Sequence, residues 1–234
     1  MSLMNTVVIM STSEDELLGL LYLSSPALPI GAFAYSQGLE KAIENEVVND
    51  QDSLERWCRD CIRYGLSSLD LPLLLALRSA IEKEDECAFQ LWNDYVFACR
   101  ETFELYEEER NLGLSMRRLL KTQDLLSKAI TLPSSPSLLG GFAMMSLSLG
   151  LSNKVALVSF CWSWLENQVA VACKSIPLGQ TDAQRVLLTL RSEIPDYLAL
   201  VKEPANELDV FGSLPGQALF SASHEIQYSR LFRS

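Results

Sequence analysis

Two features of this chain carry residue types that chemistry needs. One is Cys58-x-x-Cys61, the closest pair among six cysteines (Cys58, Cys61, Cys87, Cys99, Cys161 and Cys173). Thiols three residues apart share a helix face, so the pair could hold a soft metal or cycle as a dithiol. A zinc site wants a second such pair, and a thioredoxin-like site wants a strand–helix–strand setting; neither is present. The same spacing puts both thiols on an apolar face with Trp57 and Ile62, where free cysteine packs as a small hydrophobe. The other feature is His224, the single histidine. It lies far from the cysteines, so a histidine-based triad or an imidazole metal cluster finds no support. No Walker A or Gly-x-Gly-x-x-Gly run occurs, and Gly140-Gly141 is too little to cradle a phosphate. Adjacent acids such as Glu107 and Glu108 diverge around a helix. The residues point to a protein with no catalytic site of its own.

Polar side chains instead crowd one corner, Lys174-Ser175-Ile176-Pro177-Leu178-Gly179-Gln180-Thr181-Asp182-Ala183-Gln184-Arg185. It reads as helix–elbow–helix. Pro177 stops one helix near Lys174, Gly179 turns the chain, and Thr181 with Gln184 has the capping-box spacing for the next. Lys174, Gln180, Gln184 and Arg185 could bind a partner there or pair internally.

Helices must position these residues. Glu14 to Leu23 is a first short helix with Ser13 as its cap. Gly31 to about Val47 is a second, in which small residues alternate with Phe33 and Tyr35, and Leu39 falls on the face of Tyr35. That seam, with Gln37 and Glu40 beside it, suits an intrachain core or a subunit contact. A third helix starts near Asp52 or Ser53 and runs to about Ser67, and a fourth starts at Asp70 and Pro72 with a leucine-rich, buried run. A fifth turns Phe89, Trp92, Tyr95, Val96 and Cys99 inward, and a sixth carries Tyr106 to Leu120. From Glu82 to Arg110 the net charge is −7, read either as a solvated face or as a partner-facing patch. Thr131 to Ser137 is a loop. Two apolar helices follow between Leu138 and Cys173, and their uninterrupted pieces are shorter than the roughly 20 residues a bilayer requires. Thr181 to Leu200 is bent or ended near Pro195. No strand-like alternation and no internal repeat appear. The expectation is an all-α fold: a single globular bundle of about nine or ten helices over residues 1–202, then a flexible linker and C-terminal tail over 203–234.

The formal charge of −11 argues against nucleic acid and against an anionic membrane surface. Met1 to Ser13 lacks the pattern of a secretory leader, which with the free cysteines predicts a cytoplasmic chain. Met1-Ser2-Leu3 ahead of Met4 reads as a non-native leader. The tail from Ser221 has a net charge of +1 and carries His224, Tyr228, Arg230, Phe232 and Arg233. Aromatic and Arg residues on such a segment are the composition of interface anchors, or of a frayed end.

Three stretches carry a resemblance. Lys174 to Arg185, Leu28-Pro29-Ile30-Gly31-Ala32-Phe33-Ala34-Tyr35-Ser36-Gln37-Gly38-Leu39-Glu40, and His224-Glu225-Ile226-Gln227-Tyr228-Ser229-Arg230-Leu231-Phe232-Arg233-Ser234 together resemble the urease accessory protein UreF family, in the family's order. Ala34 and Ala183 stand where the family often has Ser and Gly. The resemblance implies an all-α, dimeric, cytoplasmic, non-catalytic adapter. It would bridge a scaffold accessory protein (D or H) and a nickel-carrying GTPase (accessory protein G), so that nickel reaches apo-urease. Timing of the GTPase cycle is a further implied role. Partner-binding residues would be Lys174, Gln180, Gln184 and Arg185 at the elbow. In the tail they would be His224, Glu225, Gln227, Tyr228, Arg230, Leu231, Phe232 and Arg233. There Tyr228, Leu231 and Phe232 would act as anchors, and Arg230 and Arg233 would pair with carboxylates. Phe33, Tyr35, Gln37 and Glu40 would make the dimer contact. No cofactor and no resident metal are implied. The rival readings are a thiol enzyme using Cys58 and Cys61, and a direct nickel-binding chaperone, for which a single histidine is scant provision.

Overall fold

A computed structural model describes residues 12–234; the expectations for Met1–Leu3 and for a leader lie outside the described residues. The fold is all-α, with no strand among the described residues. The helices are α1 (Glu14–Leu23), α2 (Leu39–Glu44), α3 (Gln51–Asp60), α4 (Leu71–Glu82), α5 (Glu86–Ala98), α6 (Phe103–Thr122), α7 (Leu138–Ser148), α8 (Asn153–Ser175), α9 (Gln180–Leu198) and α10 (Pro215–His224).

The centre is α4 against α7. Every residue from Leu71 to Ile81 is buried, as are Leu139 to Ser146 of α7. Helices this apolar all round can only be core helices. Around them pack α5, α6 and α8, and α9 lies on α8 and α3. Arg59 of α3 reaches Glu193 of α9 with Nε 2.8 Å from Oε2. Buried Arg78 staples the α7–α8 turn, donating to Asn153 Oδ1 at 2.7 Å, to Leu151 O at 2.6 Å and to Ser146 Oγ.

Local signals set most ends. Ser13 and Glu16 form a capping box on α1, and Asp50 with Ser53 forms another on α3, so the cap precedes the expected Asp52 or Ser53. α3 and α4 are one continuous rod rather than two helices. Cys61–Asp70 between them is wound with the wider i→i+5 hydrogen bonding, as in Leu71 N to Leu66 O. Pro72 has no N–H for the carbonyl of Ser68 and its ring crowds that carbonyl, which the wider turn accommodates.

The expected helix from Gly31 to Val47 is not continuous. Gly31 and Gly38 sit at φ +85° and +83°, and Tyr35 is extended. What forms is a single tight turn, Ala32–Ala34, a break, and then α2. Only glycine fits at 38: a Cβ there would stand 2.9 Å from the main-chain N of Ser221 in α10. Tyr35 and Leu39 therefore do not share a helix face.

The region after α9 packs on the helices in this structure. Val210 is buried, and Tyr95 Oη lies 3.0 and 3.1 Å from the carbonyls of Glu207 and Val210. α10 lies on α2 and α6; its last residue His224 is buried, as are Phe232 and Ser234 beyond it.

Candidate functional site: a junction of three distant segments

The residues after α10 fold back over α2 and the start of α6. Arg233 N donates to Ala34 O, and Ser36 N donates to Ser234 O, both at 2.8 Å. Ser36 Oγ also bonds Ser234 O. These bonds pair the residue 34–36 stretch with the last residues of the chain. The break between Ala34 and Leu39, which destroys the expected helix, is what frees main-chain groups for this pairing.

Three carboxylates hold the returning segment. Glu40 accepts from the main-chain N–H groups of Leu231 at 2.7 Å and Phe232 at 3.0 Å, and lies 3.1 Å from His224 Nε2. Glu104 lies 2.8 Å from His224 Nδ1 and accepts from Arg230 at 3.0 Å. Glu108 accepts from Gln37 Nε2 at 2.7 Å and from Ser234 Oγ at 3.0 Å. Trp164 of α8 closes the network by donating to Gln37 Oε1 at 2.7 Å.

Both ring nitrogens of His224 face carboxylate oxygens, those of Glu104 and Glu40. Burial raises the pKa of Glu104 from its ordinary value, against the pull of His224 and Arg230. Burial pushes Glu108 up to about 7, although Gln37 and Ser234 both donate to it.

The elbow joins the same junction. Lys174 Nζ stands 5.5 Å from the centre of the Phe232 ring, within cation–π range. Arg185 pairs with Asp182 at 2.8 Å on the surface. The expected Thr181 cap is absent: α9 begins one residue earlier, at Gln180, with Gly179 in the cap position and no side-chain cap. Gly179 O instead accepts from Asp182 N and Ala183 N, which seats Thr181 inside the first turn. Lys174, Gln180, Gln184 and Arg185 are all exposed.

The junction thus brings all three segments together and sorts their residues. Turned inward within this chain are Tyr35, Glu40, His224 and Phe232, with Gln37 half-buried in the network. Arg230 is engaged by Glu104. Left outward are Phe33, Glu225, Tyr228, Leu231 and Arg233, with Ile226 beside them. Gln227 is half-buried and donates to Ser229 O at 2.9 Å.

Glu104, Glu108 and Trp164 were not anticipated as members of a site. The acidic run was read as a solvated face or a partner patch, yet Glu104, Glu108 and Glu109 are buried. The missed signal is spacing: Glu104 and Glu108 continue, at four-residue steps, the stripe of Leu112, Met116 and Leu120. Acids on a core-facing stripe need internal partners.

Cys58 and Cys61 are buried, and burial raises both thiols well above their ordinary pKa. They are inert packing groups rather than thiolate nucleophiles at neutral pH. Among the described residues, no group of three or more His, Cys, Asp or Glu side chains is arranged to hold a metal ion, and no helix is long and apolar enough to cross a membrane.

A family model described as UreF matches residues 48–191. Over 233 residues the chain is 45% identical to the urease accessory protein UreF of Chromohalobacter salexigens, covering 99% of this chain and 100% of that one. It is 44% identical to the UreF of Marinobacter nauticus over 93% of this chain and 94% of that one. It is 42% identical to the UreF of Pseudoalteromonas translucida, with 95% and 96% covered.

Proposed function

The chain belongs to the UreF family of urease accessory proteins, and from that premise we propose that it is a non-catalytic, homodimeric adapter of urease maturation in the cytoplasm. In this reading it joins the scaffold accessory protein D or H to the nickel-carrying GTPase, accessory protein G, and timing of the GTPase cycle is part of its work. Nickel reaches apo-urease through the assembly, not through a resident site on this chain.

One observation supports the reading: the junction turns Glu40, Glu104, Glu108 and His224 inward while leaving two kinds of surface on top. Exposed Ile226, Tyr228 and Leu231 ride on a segment clamped by Glu40, Glu104 and Glu108. Apolar and aromatic side chains on a pre-ordered backbone are good anchors, because less entropy is lost when they dock. Close by, Lys174 touches Phe232 while the elbow's other polar residues face outward. We assign the tail of the 203–234 region to the scaffold protein and the elbow to the GTPase, with residues 1–202 as the body that holds both. The coupling through Lys174 and Phe232 gives occupancy of one surface a route to the other.

The test is co-expression with the scaffold protein and the GTPase, followed by size exclusion with light scattering. The full chain is expected in two copies in the complex. Removal of residues 225–234 is expected to release the scaffold protein. A complex that keeps the scaffold protein after that removal overturns the tail assignment. A chain that joins neither folded partner overturns the adapter reading.

A further inference from the structure

The loop after α9 holds two of the most exposed large apolar side chains among the described residues, Leu208 at 90% and Phe211 at 81%. Apolar side chains scattered singly over a surface need no explanation. These two stand together on a loop that is tied down along its length. Asp209 Oδ2 accepts from Ala205 N at 3.0 Å and from Asn206 N at 3.2 Å, and Asn206 Oδ1 accepts from Leu208 N at 2.9 Å. Past Phe211, Gly212 presses on the wide-wound segment, where a Cβ would stand 3.0 Å from that of Leu69. Ser213 Oγ then donates to Glu101 at 2.8 Å. Val210, buried, is the loop's anchor in the core, so the fold itself gains nothing from apolar side chains at 208 and 211. An acidic rim surrounds the pair. From Glu203 to Ser213 there are three acids, Glu203, Glu207 and Asp209, and no base. Glu101 adds a fourth through Ser213. Lys83 meets Glu203 at 3.6 Å, at the end of the loop away from Phe211.

We propose that Leu208 and Phe211 dock into an apolar cleft, edged by lysine or arginine, on a protein partner in the maturation assembly. The proposal rests on the adapter reading above and adds a third surface to it. Along the chain, α9 separates the loop from the elbow by roughly 27 Å of helix, and α10 separates it from the tail. Side chains on a pinned backbone lose little entropy when they dock. The acidic rim selects the partner by charge: a basic-edged cleft is drawn to it and anionic lipid is repelled. A second copy of this chain, with its formal charge of −11, is disfavoured at such a rim for the same reason.

Photo-cross-linking tests the contact in the co-expressed assembly of the full chain, the scaffold protein, the GTPase and apo-urease. p-Benzoylphenylalanine takes the place of Phe211 in one preparation and of Tyr228 in another. Both positions are exposed, so the larger ring displaces nothing buried. Irradiation is expected to join position 211 to one of the other three proteins, at a site that peptide mapping places beside Lys or Arg. Changing Glu203→Lys and Glu207→Lys together is expected to lower that yield at least about fivefold and to leave the yield from position 228 unchanged. The turn itself is capped by Asn206 and Asp209, which the double change leaves in place. An assembly that co-purifies but gives no link from position 211 to any of the three proteins overturns the docking and leaves the adapter reading standing. A link from 211 only to a second copy of this chain does the same. A yield that the double reversal leaves unchanged overturns the basic-edged partner. A chain that co-purifies with none of the three overturns both the docking and the adapter reading.

Discussion

His224 Nδ1 lies 2.8 Å from Glu104 Oε2, with both side chains buried, and the other nitrogen of the same ring faces Glu40 at 3.1 Å. The single histidine of the chain is thus a clasp between α10, α6 and α2. It is not a free imidazole awaiting a ligand. Replacing it with alanine leaves two buried carboxylates short of a partner. Breaking a buried pair in this way costs about 3–5 kcal/mol. Chemical denaturation of His224→Ala is expected to show a loss of about that size, with limited proteolysis cutting first after residue 224. Wild-type stability and an uncut tail would mean the clasp contributes nothing.

Glu108 gives the fold a pH dependence with a defined sign. Its folded-state value is about 7 against an ordinary 4.5, because burial penalises the carboxylate. The folded chain therefore keeps a proton that the unfolded chain has already released. Stability falls as pH rises from about 4.5 through about 7 and levels off above. The span corresponds to about 3 kcal/mol. Glu104 is raised as well and acts in the same sense. Glu108→Gln imitates the protonated form, so urea denaturation from pH 5 to 8 should show a shallower fall than wild type. Equal slopes for the two proteins would exclude Glu108 as the titrating group.

Periodicity and punctuation revealed the all-α class, the apolar α7–α8 pair and the proline-marked elbow, because those signals are local. What was illegible depends on pairing across the chain. The seam from Gly31 looked helical until two left-handed glycines and the need to bond Ser234 broke it. The rod from Gln51 to Glu82 hid its continuity behind Pro72, since proline usually marks a start. Glu104 and Glu108 read as surface because acids usually are. Their burial follows from His224, Ser234 and Gln37, which stand far away in sequence.

Thiol reactivity separates packing cysteines from a working dithiol. Cys58, Cys61 and Cys161 are buried, and burial raises the thiol of Cys161 to about 12. Cys87 and Cys173 are exposed. A chromogenic disulfide reagent is expected to titrate those two quickly in the native chain, Cys99 more slowly, and the buried three only after unfolding. Rapid labelling of Cys58 or Cys61 would reopen the thiol chemistry that their spacing allows.

Arg78 is a buried guanidinium held by neutral acceptors, the carbonyl of Leu151 among them. Burial lowers its pKa, against the pull of Glu82. Yet its loss would orphan the Leu151 carbonyl and open a cavity beneath the α7–α8 turn. Arg78→Ala is expected to cost about 3 kcal/mol. Arg78→Lys should recover only part of this, because an ammonium cannot span Asn153 and Leu151 in the planar geometry of the fork. Equal stability of the lysine variant and wild type would show that charge alone suffices.

Lys174 separates two ways in which the elbow could serve a partner. Its amine is exposed and sits 5.5 Å from the Phe232 ring, a contact worth about 0.5–1 kcal/mol at such a site. Lys174→Glu should therefore leave the melting temperature nearly unchanged. If Lys174 meets the GTPase directly, that variant fails to recruit it while its tail stays as protease-resistant as in wild type. If Lys174 acts by bracing the tail, Phe232→Ala reproduces the same defect with Lys174 intact, and both variants expose residues 225–234 to protease. The direct contact is the expected outcome, because Gln180, Gln184 and Arg185 extend the same exposed corner beyond the reach of Phe232. Normal GTPase recruitment by folded Lys174→Glu would remove the elbow from the proposed partner surface.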